Sequence, residues 1–154
     1  MNIINKTIVT FLPLVPKPIV RKFANKYIAG DKLSDALSLS QKLNDIGIMT
    51  TMDVLGEGVT NEAQTIESKM ECLEVLDSIH NNKLNSNLSL KLTQLGLQID
   101  VELCWKNMKE ILDRAKKYDF FVRIDMEDSP CTDDTLEIFN RSKQYYPNCG
   151  VVVQ

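Results

Sequence analysis

The segment FFVRIDMEDSP, residues 120–130, holds four ionisable residues within six positions: Arg123, Asp125, Glu127 and Asp128. In an extended strand, side chains two apart share a face, so Arg123 and Asp125 would point the same way. Three other apolar runs end on polar groups: Asp53 after IMTTM, Lys91 within NLSLKLTQLG, and Gln154 after GVVV. An ammonium can hold a carboxylate as a point charge. With a lowered pKa it could instead attack a carbonyl as an amine. An amide donates a hydrogen bond without bringing a full charge. Two acids and two bases meeting in one place would neutralise one another, as buried charges must. Lys91 also has a plainer reading, a structural ion pair. Glu127 and Asp128 read as solvated loop residues.

Alternating elements would position these side chains. DKLSDALSLSQKLNDIG reads as a helix capped by Asp31 and stopped near Gly47. IMTTMDVLGE is a first strand. TNEAQTIESKMECLEVLDSIH is a helix with Asn61 and Gln64 as a capping box and a stripe of Ala63, Ile66, Met70, Leu73, Leu76 and Ile79. NLSLKLTQLG alternates Leu88, Leu90 and Leu92 against Ser89, Lys91 and Thr93, a second strand. A helix capped by Asp100 follows, with a stripe from Val101 to Ala115 that includes Trp105. FFVRIDM is a third strand, TDDTLEIFNRSKQYY a helix begun by Thr132, and GVVVQ a fourth strand.

Strands recur every 30 to 40 residues or so, the size of a βα unit, which predicts a parallel sheet of the α/β class. VLGEG lacks the GxGxxG spacing of a doubly wound dinucleotide fold, so a (β/α) barrel of TIM type is the expectation. A full barrel takes eight units and about 250 residues, so four units make half of one. Residues 1–47 read as an N-terminal helical segment and residues 48–154 as the first half-barrel, as if the chain were cut. With the leucines turned to the helices, Asp53, Lys91, Arg123, Asp125 and Gln154 converge on the lumen, late in their strands, where barrel active sites lie.

Composition narrows the partners. A net charge of −3 with no Lys/Arg run argues against nucleic acid. Cys72, Cys104, Cys131 and Cys149 form no CxxC or zinc pattern and His80 has no ligand partner, so free thiols in the cytoplasm and no metal are expected. TIVTFLPLVP is broken by Pro13 and Pro16 and reads neither as a signal peptide nor as a span.

NLSLKLTQLGL, followed by FFVRIDMEDSP, GVVVQ and the earlier DVLGEGV, resembles the monofunctional bacterial proline dehydrogenases from about residue 30 onward. The resemblance implies a distorted (β/α)8 barrel that holds FAD at its strand ends and oxidises L-proline to Δ1-pyrroline-5-carboxylate. It further implies a quinone as electron acceptor and a cytoplasmic enzyme that meets it at the surface of the inner membrane. By the same likeness, Lys91 pairs with the substrate carboxylate and Asp125 lies beneath flavin and substrate. Met126 lines the flavin, Gln154 hydrogen-bonds its ring, Glu57 closes the pocket with an arginine of the last helix, and Asp53 lines the mouth. The family's carboxylate-gripping arginines belong to the other half of the barrel, which makes that half a required partner. Two alternatives stand beside this one. One is a Schiff-base barrel lyase or aldolase using Lys91. The other is a fragment without catalysis.

Overall fold

The computed structural model describes residue 30, residues 32–56 and residues 58–153. The N-terminal segment through Ala29, the Asp31 cap, Glu57 and Gln154 lie outside the described residues. The chain divides between Leu39 and Ser40, and the unit from Ser40 onward carries every described strand.

The elements are α1 (Leu33–Asp45), β1 (Thr50–Asp53), α2 (Glu62–Asn81), β2 (Ser86–Lys91), α3 (Val101–Tyr118), β3 (Val122–Asp125), α4 (Thr132–Tyr145) and β4 (Cys149–Val151). Short 3-10 turns follow β2 (Leu92–Leu95) and precede α4 (Ser129–Cys131). The four strands are parallel and stand in the order β1-β2-β3-β4. Consecutive order with crossovers of one hand places every connecting helix on the same side of the sheet. The residues that face α2, α3 and α4 are therefore apolar and buried: Met52 on β1, Leu88 and Leu90 on β2, Val122 and Ile124 on β3. Against them lie Leu76 and Ile79 of α2, Met108, Ile111 and Leu112 of α3, and Ile138 of α4.

The other face carries the alternate residues: Thr51 and Asp53, then Asn87, Ser89 and Lys91, then Arg123 and Asp125, then Gly150. Gly150 is required there by packing, since a Cβ on it would come within 2.9 Å of the Phe121 ring. Asn44 at the end of α1 ties the first crossover down. It accepts from Asn85 N at 2.7 Å and donates to Asn85 O at 3.1 Å, copying the bonds of a neighbouring strand.

Several local expectations need correction. The second strand ends at Lys91 rather than running on through Thr93, because the chain folds into the 3-10 turn and closes it at Gly96, whose φ is +102°. A Cβ at Gly96 would also crowd Thr65 Cγ2 at 3.1 Å, so backbone and packing both demand glycine. The buried stripe of α2 is rotated from the expected one. Ile66 and Met70 are exposed, while Thr65, Lys69, Cys72 and Val75 are buried. Lys69 is tolerated inside because it reaches Glu110 at 2.9 Å. Asn61 does cap α2, accepting from Gln64 N at 3.1 Å, but Gln64 reaches back to Thr60 N rather than to Asn61. Asp100 caps α3 as expected, accepting from Leu103 N at 2.7 Å. Thr132 does not cap α4; it lies inside the helix, with Cys131 before it. Trp105 is only half-buried, and the polar Asn107 takes a core position on α3, donating to Thr65 Oγ1 at 3.2 Å and Leu95 O at 3.1 Å.

Candidate active site

The helix-free face of the sheet gathers charge at the C-terminal ends of its strands. Asp53 lies opposite Ser89, and Lys91 lies opposite Asp125. Lys91 is thus the diagonal neighbour of Asp53, within reach of a long side chain. Its Nζ meets Asp53 Oδ2 at 2.8 Å, and both side chains keep about a quarter of their surface exposed, 24% and 29%. One strand over, Arg123 Nε donates to Asp125 Oδ1 at 2.9 Å and to Ser89 Oγ at 3.1 Å. Ser89 is fully buried and holds the guanidinium root against the sheet.

These two ion pairs stand side by side on three strands and sum to zero charge. The hydrogen bond that Lys91 donates to Asp53 raises the Lys91 pKa above the ordinary lysine value; burial opposes it, and the charges of Asp53, Asp125 and Glu127 reinforce it. Lys91 is therefore a committed cation. Among the described residues, the terminal guanidinium nitrogens of Arg123 make no hydrogen bond, so their donors are available to an anion. Met126 follows directly and is half-buried.

Two residues of this region were missed or misread in the sequence. Glu127 is half-buried rather than a solvated loop residue: it accepts from Thr93 N at 3.0 Å and from Thr93 Oγ1 at 2.5 Å. Asp128 is exposed. Gln94 is buried and donates through Nε2 to Val54 O at 2.9 Å and Gly56 O at 2.5 Å, which holds the exit of β1. The available signals were the break in alternation at Gln94 and the following Gly96, which mark a turn after Lys91 and so put Thr93 and Gln94 beside the strand ends. Of the residues singled out from the sequence, the structure brings together Asp53, Lys91, Arg123 and Asp125, with Met126 the next residue along the chain. Glu57 and Gln154 lie outside the described residues.

The thiols take no part. All four cysteines are free and buried, and burial pushes Cys72 up to about 12 and Cys104 well above the ordinary thiol range. Among the described residues, no group of His, Cys, Asp and Glu is arranged to hold a metal, and no helix is long and apolar enough to cross a membrane.

Comparison with known proteins gives this geometry a family. Proline dehydrogenase 1 of Bacillus subtilis (strain 168) is 37% identical over 150 residues, which cover 97% of this chain and 49% of that protein. Proline dehydrogenase 2 of the same strain is 37% identical over 134 residues, 87% of this chain and 44% of that protein. A proline dehydrogenase of Deinococcus radiodurans is 30% identical over 119 residues, 75% of this chain and 38% of that protein. The chain thus spans about half the length of the curated relatives it matches. The family model described as proline dehydrogenase matches residues 36–154, a stretch that holds all four strands and both ion pairs, and the chain belongs to the proline dehydrogenase family.

Proposed function

We propose that this chain is the part of an FAD-dependent proline dehydrogenase that carries Lys91 and Asp125, and that residues 48–154 form four units of a (β/α)8 barrel whose polar face is the lumen. The observation that carries the reading is the pair of neighbouring ion pairs, Lys91–Asp53 and Arg123–Asp125, on a sheet face that no connecting helix covers. Sequential strand order without a reversal suits a barrel, whereas a doubly wound sheet changes direction at its binding crevice.

Each residue then has a role its chemistry supports. Lys91 pairs with the proline carboxylate, and Asp53 holds the ammonium in place until substrate competes for it. Competition between two carboxylates for one cation favours the substrate only if the rest of the site adds donors, which suits a site completed by further chain. Asp125 orients Arg123 and supplies negative charge near the substrate ammonium. FAD would supply the hydride acceptor. The donor set fits it: the terminal guanidinium nitrogens of Arg123, which make no hydrogen bond among the described residues, suit an electron-rich acceptor, half-buried Met126 offers an apolar contact, and Gln154 offers an amide. Quinone as final acceptor and a place at the membrane surface belong to the same reading.

The Schiff-base alternative requires a Lys91 with a lowered pKa, and the Asp53 contact raises it. The test is a complete protein, made by joining this chain to the part of Bacillus subtilis proline dehydrogenase 1 that it does not cover. The expected product is yellow and reduces a dye when proline is added, while the 154-residue chain alone does neither at a measurable rate. A complete protein that folds but binds no flavin would contradict the proposal, and so would turnover by the isolated chain.

A further inference from the structure

We propose that Glu127 is a positioning residue for Lys91, acting through the 3-10 turn Leu92–Leu95; its consequence for catalysis rests on the function proposed above. Lys91 is both the last residue of β2 and the residue that starts this turn, with extended backbone at φ −109°, ψ 132°. A turn begun this way leaves N–H groups without partners, and the starting residue's own side chain commonly accepts from one of them. Lys91 is a donor only and is spent on Asp53, so it makes no such bond.

Glu127 supplies the missing acceptor from the loop that follows β3. Both its carboxylate oxygens are used on one residue, Thr93: Oε2 on the backbone N–H and Oε1 on the hydroxyl. On the opposite side, Gln94 of the same turn grips Val54 O, the residue after Asp53. The turn is therefore fixed at the exit of β3 by Glu127 and at the exit of β1 by Gln94. Lys91 sits at its root and Asp53 one residue before the gripped carbonyl. A lysine side chain carries about 2 kcal/mol of rotamer entropy. Holding its ammonium at one place thus depends on a fixed backbone origin. Glu127 fixes that origin and, lying two residues past Asp125, adds a third negative charge near Nζ.

Pulse acetylation of the 154-residue chain, read residue by residue by mass spectrometry, tests this without any need for activity. In Glu127→Gln the carboxamide keeps its size but loses the charge and one of two matched acceptors. Acetylation of Lys91 should rise about fivefold, what losing one hydrogen bond of ordinary net strength gives, with Lys109 and Lys116 unchanged as internal references. Thr93→Val, which deletes one bond only, should raise Lys91 acetylation by less, and Thr93→Ser should restore the parent rate. Should Glu127→Gln expose every lysine by unfolding, Thr93→Val decides. Unchanged Lys91 acetylation in Thr93→Val, or a rise that Thr93→Ser does not reverse, would overturn the proposal. In the complete flavoprotein the same variants should raise KM for proline more than they lower kcat. If acetylation responds and KM does not, Glu127 positions Lys91 and the carboxylate-binding role of Lys91 is what fails.

Discussion

Two charged clusters sit at opposite ends of this molecule. At the C-terminal ends of α2 and α3, Asp77 accepts from both Arg114 and Tyr118, the latter at 2.8 Å. Tyr118 stacks on His80 with ring centroids 4.0 Å apart, and Phe120 closes the group from the side. At the C-terminal ends of the strands stand Lys91–Asp53 and Arg123–Asp125. Both clusters contain an acid held by a base, and the Asp77 carboxyl is held below its ordinary value by the hydrogen bond from Arg114. The difference lies in what remains to be satisfied. Asp77 uses both oxygens on two helix-borne donors, and rings cover its neighbours. The strand-end pairs lie on a sheet face that no connecting helix covers, and among the described residues the terminal guanidinium nitrogens of Arg123 make no hydrogen bond. An ion pair by itself marks nothing; an under-used pair at strand ends marks a site.

The largest expected effect separates the clusters by activity. In the complete enzyme, Lys91→Met should lower kcat/KM for proline by a hundredfold or more, about 3 kcal/mol of transition-state binding, while lowering stability by under about 1 kcal/mol. Asp77→Asn should leave kcat/KM within about twofold while lowering stability by under about 1 kcal/mol, the usual worth of an exposed pair. Steady-state kinetics and denaturant melts on the two variants check this, and the reverse assignment would break the comparison.

Next in size is the turn that joins the core to the site. Gly96→Ala forces a side chain into φ +102° and against Thr65, so it should cost about 1–3 kcal/mol. Asn107→Leu strands Leu95 O and takes from Thr65 Oγ1 the donor it accepts from, leaving that hydroxyl only its bond to Glu62 O, and should cost a similar amount, about 1–3 kcal/mol. Urea titration of the chain measures both.

These positions also show what the sequence could and could not reveal. The alternation Leu88, Ser89, Leu90, Lys91 was legible because a half-apolar strand has a period of two, and the two faces of the strand followed from that pattern. The turn after Lys91 was not, because Leu92 and Thr93 continue the same alternation, which breaks only at Gln94 and Leu95, just before Gly96. The α2 stripe was misread because Lys69 and Thr65 are buried through partners on α3, Glu110 and Asn107, far along the chain. Asn107 drew no notice in the sequence, since nothing local shows that Leu95 O needs a donor. Glu127 looked like loop for the same reason: its partner Thr93 is 34 residues away.

The smallest effects are those of pH and thiol chemistry. Asp77 has a depressed pKa, so its contribution to stability is present above the ordinary carboxylate value and fades as pH falls through the lower folded one. Lys91 has a raised pKa, so its contribution is complete below the ordinary lysine value and fades only as pH rises through the higher folded one. Thermal melts of Asp77→Asn and Lys91→Met should therefore converge on the parent at opposite ends of the pH range, acid for the first and alkaline for the second. Native protein at neutral pH should leave Cys72 and Cys104 unreacted with a thiol reagent, since both are buried and protonated.

The most direct measurement is anaerobic flavin bleaching by proline in the complete protein, with Lys91→Met and Asp77→Asn run beside the parent at one subsaturating proline concentration. The parent and Asp77→Asn should bleach at similar rates and Lys91→Met should remain yellow over the same interval. Bleaching of Lys91→Met at the parent rate would contradict the claim that the strand-end pairs, rather than the helix-end cluster, form the substrate site.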